Sequence, residues 1–228
     1  MKRYFYTSFI CTVCLFASAF RVVAQETMSG FGKQVFKKYW MIESESPDYQ
    51  VKHLGDTLEI TSPKGLTLWH KEKMKGNVVI EYDACVMDEG KAGDRLSDLN
   101  CFWMATDPEA DSVFDRLDQR NGVFKNQAQL SLYYVGYGGN HNSTTRFRRY
   151  DGNPGPAILG EYTDAEHLLT PNKWYHIKLV SSGNIVQYWI DGQKLFELDD
   201  PQPHKEGWFG FRTTLSRTAI KNFKYTTN

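Results

Sequence analysis

The sequence predicts an all-β protein. Most segments alternate apolar and polar residues with a period of two, or form a short apolar block between turn residues. No window of helical length carries an uninterrupted apolar stripe at helical spacing. Glycine-containing turn sequences separate the segments where hairpins need a positive φ. Together these observations argue against a helical fold class.

Each predicted strand is bounded by a turn or by a polar stretch. The predicted turns are Pro63-Lys64-Gly65, Lys75-Gly76-Asn77, Ser182-Gly183-Asn184 and Asp191-Gly192. The predicted strands are residues 57–62, 66–70, 78–87, 99–105, 129–137, 145–150, 174–181, 184–190, 193–198, 207–214 and 219–226.

The clearest local arrangement is residues 174–198, where three short strands joined by two tight turns predict a meander. Two longer polar stretches, residues 88–98 and 107–126, interrupt the strands and are predicted to be loops over a sheet, with one helical turn near residues 112–117. Because ordered loops on a rigid scaffold often carry binding residues, a functional role is favoured over a tolerated insertion.

The N-terminus is predicted to be a secretory signal peptide, residues 1–24. Lys2 and Arg3 precede an apolar run from Phe9 to Phe20, and small residues follow up to Ala24. The run is shorter than the roughly 20 residues of a membrane-spanning helix, so no membrane span is expected. The cysteines inside it lack the context of a lipid anchor. We therefore expect an exported protein, periplasmic or secreted, that begins near Gln25.

Charge argues against nucleic acid as a partner. The chain has 27 basic and 27 acidic residues, and removal of residues 1–24 takes away three basic ones. The remaining chain is mildly acidic and has no long basic run to neutralise phosphates. No linker or repeat divides residues 25–228, so one domain is expected.

Cys85 and Cys101 are the only cysteines after the signal peptide. Each lies in an apolar, strand-like run. A disulfide is feasible if the two strands are neighbours, and two buried free thiols are about equally compatible with the sequence. Neither cysteine has the spacing of a zinc site.

Two groups of segments carry a family resemblance. KWYHIKLVSSGNIVQYWIDGQKLFEL and GWFGFRTTLSRTAIKNFKYT resemble the end of concanavalin-like lectin/glucanase domains, which implies a two-sheet antiparallel jelly-roll sandwich. GDRLSDLNCFWMATDP, LSLYYVGYGGNHNSTTRFRRYDG and DPQPHKEGWFGFRT resemble an exported bacterial family of unassigned function, related to the YesU-type proteins that often accompany polysaccharide degradation. The resemblance covers about residue 66 to the C-terminus and implies a carbohydrate context.

A polar cluster follows the strand at residues 129–137. Alternation places Tyr133 and Tyr134 on opposite faces, and Gly138 and Gly139 allow a tight bend before Asn140, His141 and Asn142. Elimination from a uronic acid needs a group that neutralises the carboxylate, a base and a proton donor. The candidate catalytic residues are Asn140 with Arg146 or Arg148 for the carboxylate, and His141 or Tyr134 for base and acid. We expect an acidic oligosaccharide or polysaccharide as partner.

Further candidate substrate-binding residues are His70, Asp98, Asn100, Tyr137, Asn142, Tyr150, Trp208 and Arg212. Each has a structural alternative: His70 as an exposed edge residue, Trp208 as core, the tyrosines as core or girdle, and Asp98 as the ion-pair partner of Arg95. No cofactor is expected. The oxygen ligands of Asp94, Asp98 and Asn100 suit structural calcium, although the EF-hand spacing is absent.

β-Elimination by these residues would cleave the chain or, where the C4 substituent is a hydroxyl, remove water from a terminal uronate, so the sequence predicts a lyase or a dehydratase without separating them. Two alternatives to such an enzyme remain open. A non-catalytic carbohydrate-binding module would use the same aromatic, asparagine and arginine side chains without reaction. A glycoside hydrolase would need two carboxylates at about 5 to 10 Å, and Glu81 with Asp83 is the nearest approximation.

Overall fold

The computed structural model describes the backbone of residues 25–28 and all atoms of residues 30–228. The predicted signal peptide lies outside the described residues. The protein is an all-β antiparallel sandwich, as predicted. The described residues form three short α-helical segments, α1 (Lys33–Tyr39), α2 (Leu117–Arg120) and the single irregular turn α3 (Gly139–Asn142), and two 3-10 helices, Phe124–Gln129 and Ala165–His167. The strands are β1 (Gln25–Met28), β2 (Trp40–Ser44), β3 (Gln50–Leu54), β4 (Thr57–His70), β5 (Met74–Lys75), β6 (Val78–Met87), β7 (Leu99–Thr106), β8 (Ser131–Gly138), β9 (Thr144–Asp151), β10 (Ala157–Tyr162), β11 (Trp174–Ser182), β12 (Ile185–Ile190), β13 (Gln193–Asp199) and β14 (Glu206–Thr227).

Strands β4 and β14 run through both sheets. Residues 208–212 of β14 pair with β7, residues 210–220 pair with β4, and residues 217–227 pair with β6. The front sheet therefore has the order β10-β9-β8-β7-β14-β4-β2, and the back sheet has the order β3-β4-β14-β6-β11-β12-β13. A bulge between Thr214 and Ser216, with Leu215 at φ 51°, marks where β14 passes from one sheet to the other.

The core lies between the two sheets. Phe147 of β9 stacks on Phe196 of β13, with ring centroids 5.6 Å apart. The Trp103 indole of β7 donates a hydrogen bond of 3.2 Å to Ser181 Oγ of β11. Burial of one such phenylalanine stabilises the fold by about 1.5–3 kcal/mol. Packing across the gap therefore fixes which face of each front strand looks outward.

Three of the four predicted turns are confirmed. Gly76, Gly183 and the Asp191-Gly192 pair all have positive φ, and β11, β12 and β13 form the predicted meander. The predicted turn at Pro63-Lys64-Gly65 is wrong, because β4 continues through it. Gly65 is needed for close packing instead: a Cβ there would collide with the backbone oxygen of Gly122.

Other differences concern strand ends and edges. The predicted strands 207–214 and 219–226 are two parts of β14, which bends without ending. β1, β2, β3, β5 and β10 were not predicted, and neither was α1. β3 and β10 are sheet edges whose residues are mostly exposed, so their sequences lack the apolar alternation of a half-buried strand. Cys85 and Cys101 are free, buried thiols.

A segment of residues 107–129, here called the covering segment, packs on part of the outer face of the front sheet. Its apolar side chains join a second cluster with strand residues. The buried carboxylate of Glu43 on β2 holds the segment: it accepts hydrogen bonds from the Trp69 indole (2.8 Å), the Gly122 amide (3.0 Å) and the Gln127 amide (2.8 Å). Arg120, fully buried, forms ion pairs with Glu43 and Asp107.

We predict that Glu43→Ala lowers the free energy of unfolding by about 3–5 kcal/mol, because it leaves Arg120 buried without one of its two anions. Chemical denaturation followed by tryptophan fluorescence measures this loss. Glu197→Ala is the matched control, since Glu197 pairs with Lys194 at the surface, and its denaturation midpoint should not change. Equal midpoints for Glu43→Ala and the parent protein would contradict the anchoring role.

Candidate functional site

A pocket of about 280 Å³ opens on the uncovered part of the outer face of the front sheet. Its floor comes from β7, β8 and β9, and its walls come from the loop before β7, the turn between β8 and β9, the covering segment and the β14 bulge. The lining residues are Arg95, Asp98, Asn100, Phe124, Tyr134, Gly136, Gly139, Asn140, His141, Thr144, Arg146, Arg148 and Thr214.

Alternation along β8 sets the centre of the floor. Tyr133 points into the core, and its hydroxyl donates a hydrogen bond of 2.7 Å to Asp200. Tyr134 points outward and lies back over Gly136. A Cβ at Gly136 would come within 2.8 Å of Tyr134 Cζ and closer still to its hydroxyl. Glycine at this position therefore makes room for the phenol.

The two arginines of β9 share the outward face but differ in charge balance. Arg146 forms an ion pair with Glu161 of β10. Arg148, half-buried beside Tyr134 and Tyr150, has no carboxylate partner among the described residues, and its buried Nε donates no hydrogen bond to them. Arg148 therefore leaves an uncompensated positive charge on the floor.

The turn after β8 is built from left-handed residues. Asn140, His141 and Asn142 have φ of 52°, 59° and 57°, conformations that asparagine tolerates better than most residues. The Asn142 side chain clamps the turn, because its amide donates to the Leu169 carbonyl and its oxygen accepts from the Leu169 amide. His141 is thereby presented at the rim, with Nδ1 3.5 Å from Arg95 Nη1.

The loop before β7 supplies a charge-balanced wall. Asp98 accepts hydrogen bonds from Arg95 (2.6 Å), Ser97 (2.8 Å) and Asn100 Nδ2 (3.2 Å). Asn100 is 5% exposed, and its Oδ1 accepts no hydrogen bond from the described residues. A buried acceptor without a donor costs about 1–3 kcal/mol, so Asn100 is held in the wall by its donation to Asp98 at the expense of this oxygen.

The electrostatics of the floor favour a neutral phenol. Burial is the largest influence on Tyr134 and raises its pKa well above the ordinary value; the nearby Tyr150 and Asp98 raise it further, against the opposing charges of Arg148 and Arg212. Tyr134 therefore stays protonated at physiological pH and enters any chemistry as a hydrogen-bond or proton donor.

The structure brings all five candidate catalytic residues to the pocket, namely Tyr134, Asn140, His141, Arg146 and Arg148. Among the candidate substrate-binding residues, Asp98 and Asn100 also line it. Asp98 bonds to Arg95 as in the structural alternative, so it shapes the wall through that pair.

The other candidate substrate-binding residues lie elsewhere. Tyr137 points into the core and donates to the Leu168 carbonyl. Both polar atoms of the Asn142 side chain form hydrogen bonds with the Leu169 backbone. Trp208 packs in the cluster under the covering segment, and its indole donates to the Lys71 carbonyl. Each is removed from the pocket by an internal packing role.

Tyr150 and Arg212 support the pocket from behind. Tyr150 is 2% exposed and contacts Tyr134 edge-on, with ring centroids 6.1 Å apart. Arg212 is also 2% exposed, donates to the Gly122 carbonyl, and lies 5.6 Å from the Phe124 ring centroid. Neither lines the pocket, because the neighbouring side chains cover them.

His70 lies between the sheets, fully buried among aromatic rings. It stacks on Tyr39 with ring centroids 6.1 Å apart and meets Trp40 edge-on. The sequence suggested either a site residue or an exposed edge residue, and both are wrong. Its side chain lies on the core-facing side of β4, where the rings of Phe223 and Tyr225 also contact it, with ring centroids 5.3 Å apart.

Several pocket residues were not predicted as site residues: Arg95, Phe124, Gly136, Thr144 and Thr214. Glycine inside an aromatic strand is a signal of close approach, and it could have indicated Gly136. Phe124 lay in a loop flagged for function, but its direction depends on how the covering segment docks. Thr214 reaches the pocket through the β14 bulge, which leaves no mark in sequence periodicity.

Metal and hydrolase chemistry find less support in this geometry. The described residues include no group of three or more histidine, cysteine, aspartate or glutamate side chains placed for a metal. Asp94 and Asp98 are already neutralised by Arg217 and Arg95. Glu81 and Asp83 share one face, on the outside of the back sheet, where His176 contacts both, far along the fold from the pocket.

Comparison with known proteins identifies a family for this chain. The profile of the family described as "Domain of unknown function (DUF6250)" matches residues 60–223. No curated protein matches the chain. In the part of the chain that the structure describes, no helix is long and apolar enough to cross a membrane.

Solved structures share the fold at low identity. A Bacillus subtilis protein of unknown function with a galectin-like fold superposes with a TM-score of 0.71, at 15% identity, over 90% of this chain and 100% of that one. The carbohydrate-binding module CBM66 from Bacillus subtilis superposes with a TM-score of 0.54, at 14% identity, over 81% of this chain and 94% of that one. A β-1,3-1,4-glucanase from a mouse hindgut metagenome superposes with a TM-score of 0.55, at 8% identity, over 90% of this chain and 98% of that one. The predicted concanavalin-like fold is confirmed, and the link to YesU-type proteins stays a prediction.

Buried His70 predicts acid sensitivity of the fold. Burial lowers its pKa from 6.5 to about 4, against a smaller opposing effect of Glu72. The unfolded chain therefore takes up a proton below pH 6.5 that folded His70 does not accept until about pH 4, so stability falls as the pH falls between these values.

We predict that between about pH 7.5 and pH 5 the free energy of unfolding falls by about 2 kcal/mol less in His70→Gln than in the parent protein. Urea denaturation at the two pH values measures the difference, in which any packing cost of the substitution cancels. His204, whose pKa is also lowered to about 4 by burial, still contributes to the pH dependence of stability in the variant. An unchanged pH dependence in His70→Gln would contradict the assignment.

Proposed function

Because the chain belongs to the DUF6250 family, a domain of unknown function, we propose its function from the pocket: it binds a uronate-containing oligosaccharide and cleaves it by β-elimination. Solved structures that share the fold include a carbohydrate-binding module, a glucanase and carbohydrate recognition domains, which supports a carbohydrate-related role. Export to the periplasm or outside the cell, where such polymers occur, is part of the proposal.

The observation that carries the proposal is the convergence of three groups on one pocket: the Arg148 guanidinium without a carboxylate partner, the protonated Tyr134 phenol and the His141 imidazole. Arg148 suits a uronate carboxylate, because a guanidinium binds a planar carboxylate through two parallel hydrogen bonds. Neutralising that carboxylate makes the neighbouring C5 proton more acidic. Arg146 contributes less, since Glu161 already pairs with it.

The remaining groups divide the proton transfers. His141 takes the C5 proton, the electron pair forms the C4=C5 double bond, and the C4–O4 bond breaks. Tyr134, which burial keeps protonated, donates its proton to the departing O4. Asn140 is held by Thr144, through a hydrogen bond of 3.1 Å, and orients the rim next to His141.

We predict that His141→Ala lowers the elimination rate at least about a hundredfold, as expected for loss of a general base. Arg148→Ala should weaken substrate binding about tenfold or more, as for loss of a charge-assisted hydrogen bond. The assay follows the near-ultraviolet absorbance of the unsaturated uronate over a panel of uronate polysaccharides. His176→Ala is the matched control, because His176 is exposed on the back sheet. Full activity in both pocket variants would remove these residues from the mechanism.

Gly136 gives a second test. We predict that Gly136→Ala displaces the Tyr134 phenol and abolishes elimination while the sandwich stays folded. Gly32→Ala is the control, since a Cβ at Gly32 meets nothing within 4 Å and its φ is −59°. Circular dichroism checks the fold and the absorbance assay checks the reaction. Wild-type turnover in Gly136→Ala would contradict the role of Tyr134 as proton donor.

A non-catalytic binding module is the second candidate. The Arg148 guanidinium, which lines the pocket without a carboxylate partner among the described residues, favours it, because it is a binding group that needs no proton transfer. Calorimetry with uronate oligosaccharides separates the two functions. Binding that depends on Arg148, with no absorbance change on any substrate, would establish the module.

A further inference from the structure

The outer face of the front sheet is closed beyond β7. Residues pair across the strands in the row Arg146–Gly136–Asn100–Arg212. The row is open at Arg146 but covered at Arg212, where the Gly122 carbonyl of the covering segment accepts a hydrogen bond from the guanidinium. A Cβ at Gly122 would lie 2.5 Å from the backbone of Glu45. The segment therefore sits directly on the sheet and leaves no passage toward β4.

The two directions along the strands are closed as well. Toward one end, Phe124 lies over Tyr134, with ring centroids 5.5 Å apart, and the apolar cluster under the covering segment begins behind it. Toward the other end stand His141 and Arg95. Arg95 is fixed to the β14 bulge by hydrogen bonds to the Thr214 and Leu215 carbonyls.

The remaining side opens toward the edge strand β10. Ile158 pairs with Arg148 and Glu161 pairs with Arg146, so both residues share the outward face of the pocket floor. Ile158 is 49% exposed. β10 is the last strand of the front sheet on this side. The floor therefore continues toward Ile158 without a further strand, and this is the direction in which a sugar chain extends from the pocket.

We propose that the pocket receives one terminal sugar, the reducing-end uronate, and that the rest of the chain leaves over β10. This inference rests on the proposed function. The cavity of about 280 Å³ lies just below the usual range of ligand pockets, roughly 300–1,000 Å³, and the protein walls on three sides oppose a chain that runs through it.

The direction in which the sugar chain enters the pocket follows from the bond that breaks. In β-elimination the reacting uronate loses its O4 substituent, so that substituent must lie on the open side for a chain to be cleaved. The reacting uronate in the closed pocket is then the reducing-end residue. Its products are one unsaturated monosaccharide, with the new C4=C5 bond, and a shortened oligosaccharide. The former O4 stays on C1 of the leaving sugar, takes the proton of Tyr134 and becomes the new reducing-end hydroxyl.

The test uses uronate oligosaccharides of two to six residues and the parent polymer, with products separated by size at early times. The expected result is unsaturated monosaccharide from the first time point, with slow loss of polymer viscosity. Reduction of the terminal residue to its alditol should abolish turnover. A ladder of product sizes from the start, or full activity on alditol-capped chains, would overturn the inference while leaving elimination intact.

A binding arm separates failure of the inference from failure of the proposed function. Calorimetry should show affinity that stops increasing after about two residues, whereas a groove gains affinity with each further sugar. Ile158→Asn should weaken binding of the trisaccharide about tenfold and leave binding of the monosaccharide unchanged, because it removes the apolar contact without placing a charge opposite Arg148. Leu54→Asn, at an exposed apolar position of β3, is the matched control. Length-limited binding without absorbance change would reject elimination alone, and equal trisaccharide binding in Ile158→Asn would reject the exit over β10.

Discussion

The bulge of β14 at residues 214–216 is the constraint on which the rest of the structure depends. It lets one long strand begin in the front sheet and end in the back sheet, so the two sheets are covalently continuous through their middle. Bulges bend a strand and free backbone groups from the ladder. Here the freed carbonyls of Thr214 and Leu215 bind Arg95. The feature that joins the sheets therefore also fixes one wall of the pocket.

A second group of buried charges fixes the opposite wall. Glu43, Arg120 and Asp107 tie the covering segment to the front sheet, and Gly65 and Gly122 allow the backbones to approach. On the other side, Arg217 holds the loop before β7 through Asp94 and Glu89. Buried ion pairs contribute little net stability but strongly penalise separation of their partners. The pocket is accordingly a rigid cavity between two anchored loops.

The sequence could predict what depends on alternation and turn chemistry. The all-β class, the β11–β13 meander and the shared outward face of Arg146 and Arg148 all follow from a period of two. It could not predict what depends on docking. His70 occupies the interior because its side chain faces the core among aromatic rings from β14, and Trp208 is covered by a segment distant in sequence. The Asn142 side chain forms two hydrogen bonds with the Leu169 backbone, and no local sequence pattern reveals that role.

The central claim is that Arg148 holds the carboxylate of a terminal uronate in a closed pocket. A crystal structure of His141→Ala with a uronate trisaccharide tests it most directly, because the bound substrate is not turned over. The account predicts the reducing-end carboxylate paired with the Arg148 guanidinium, O4 near the Tyr134 hydroxyl and the second sugar over Ile158. A trisaccharide whose carboxylates avoid Arg148, or that lies on the outer face of the back sheet, would contradict it.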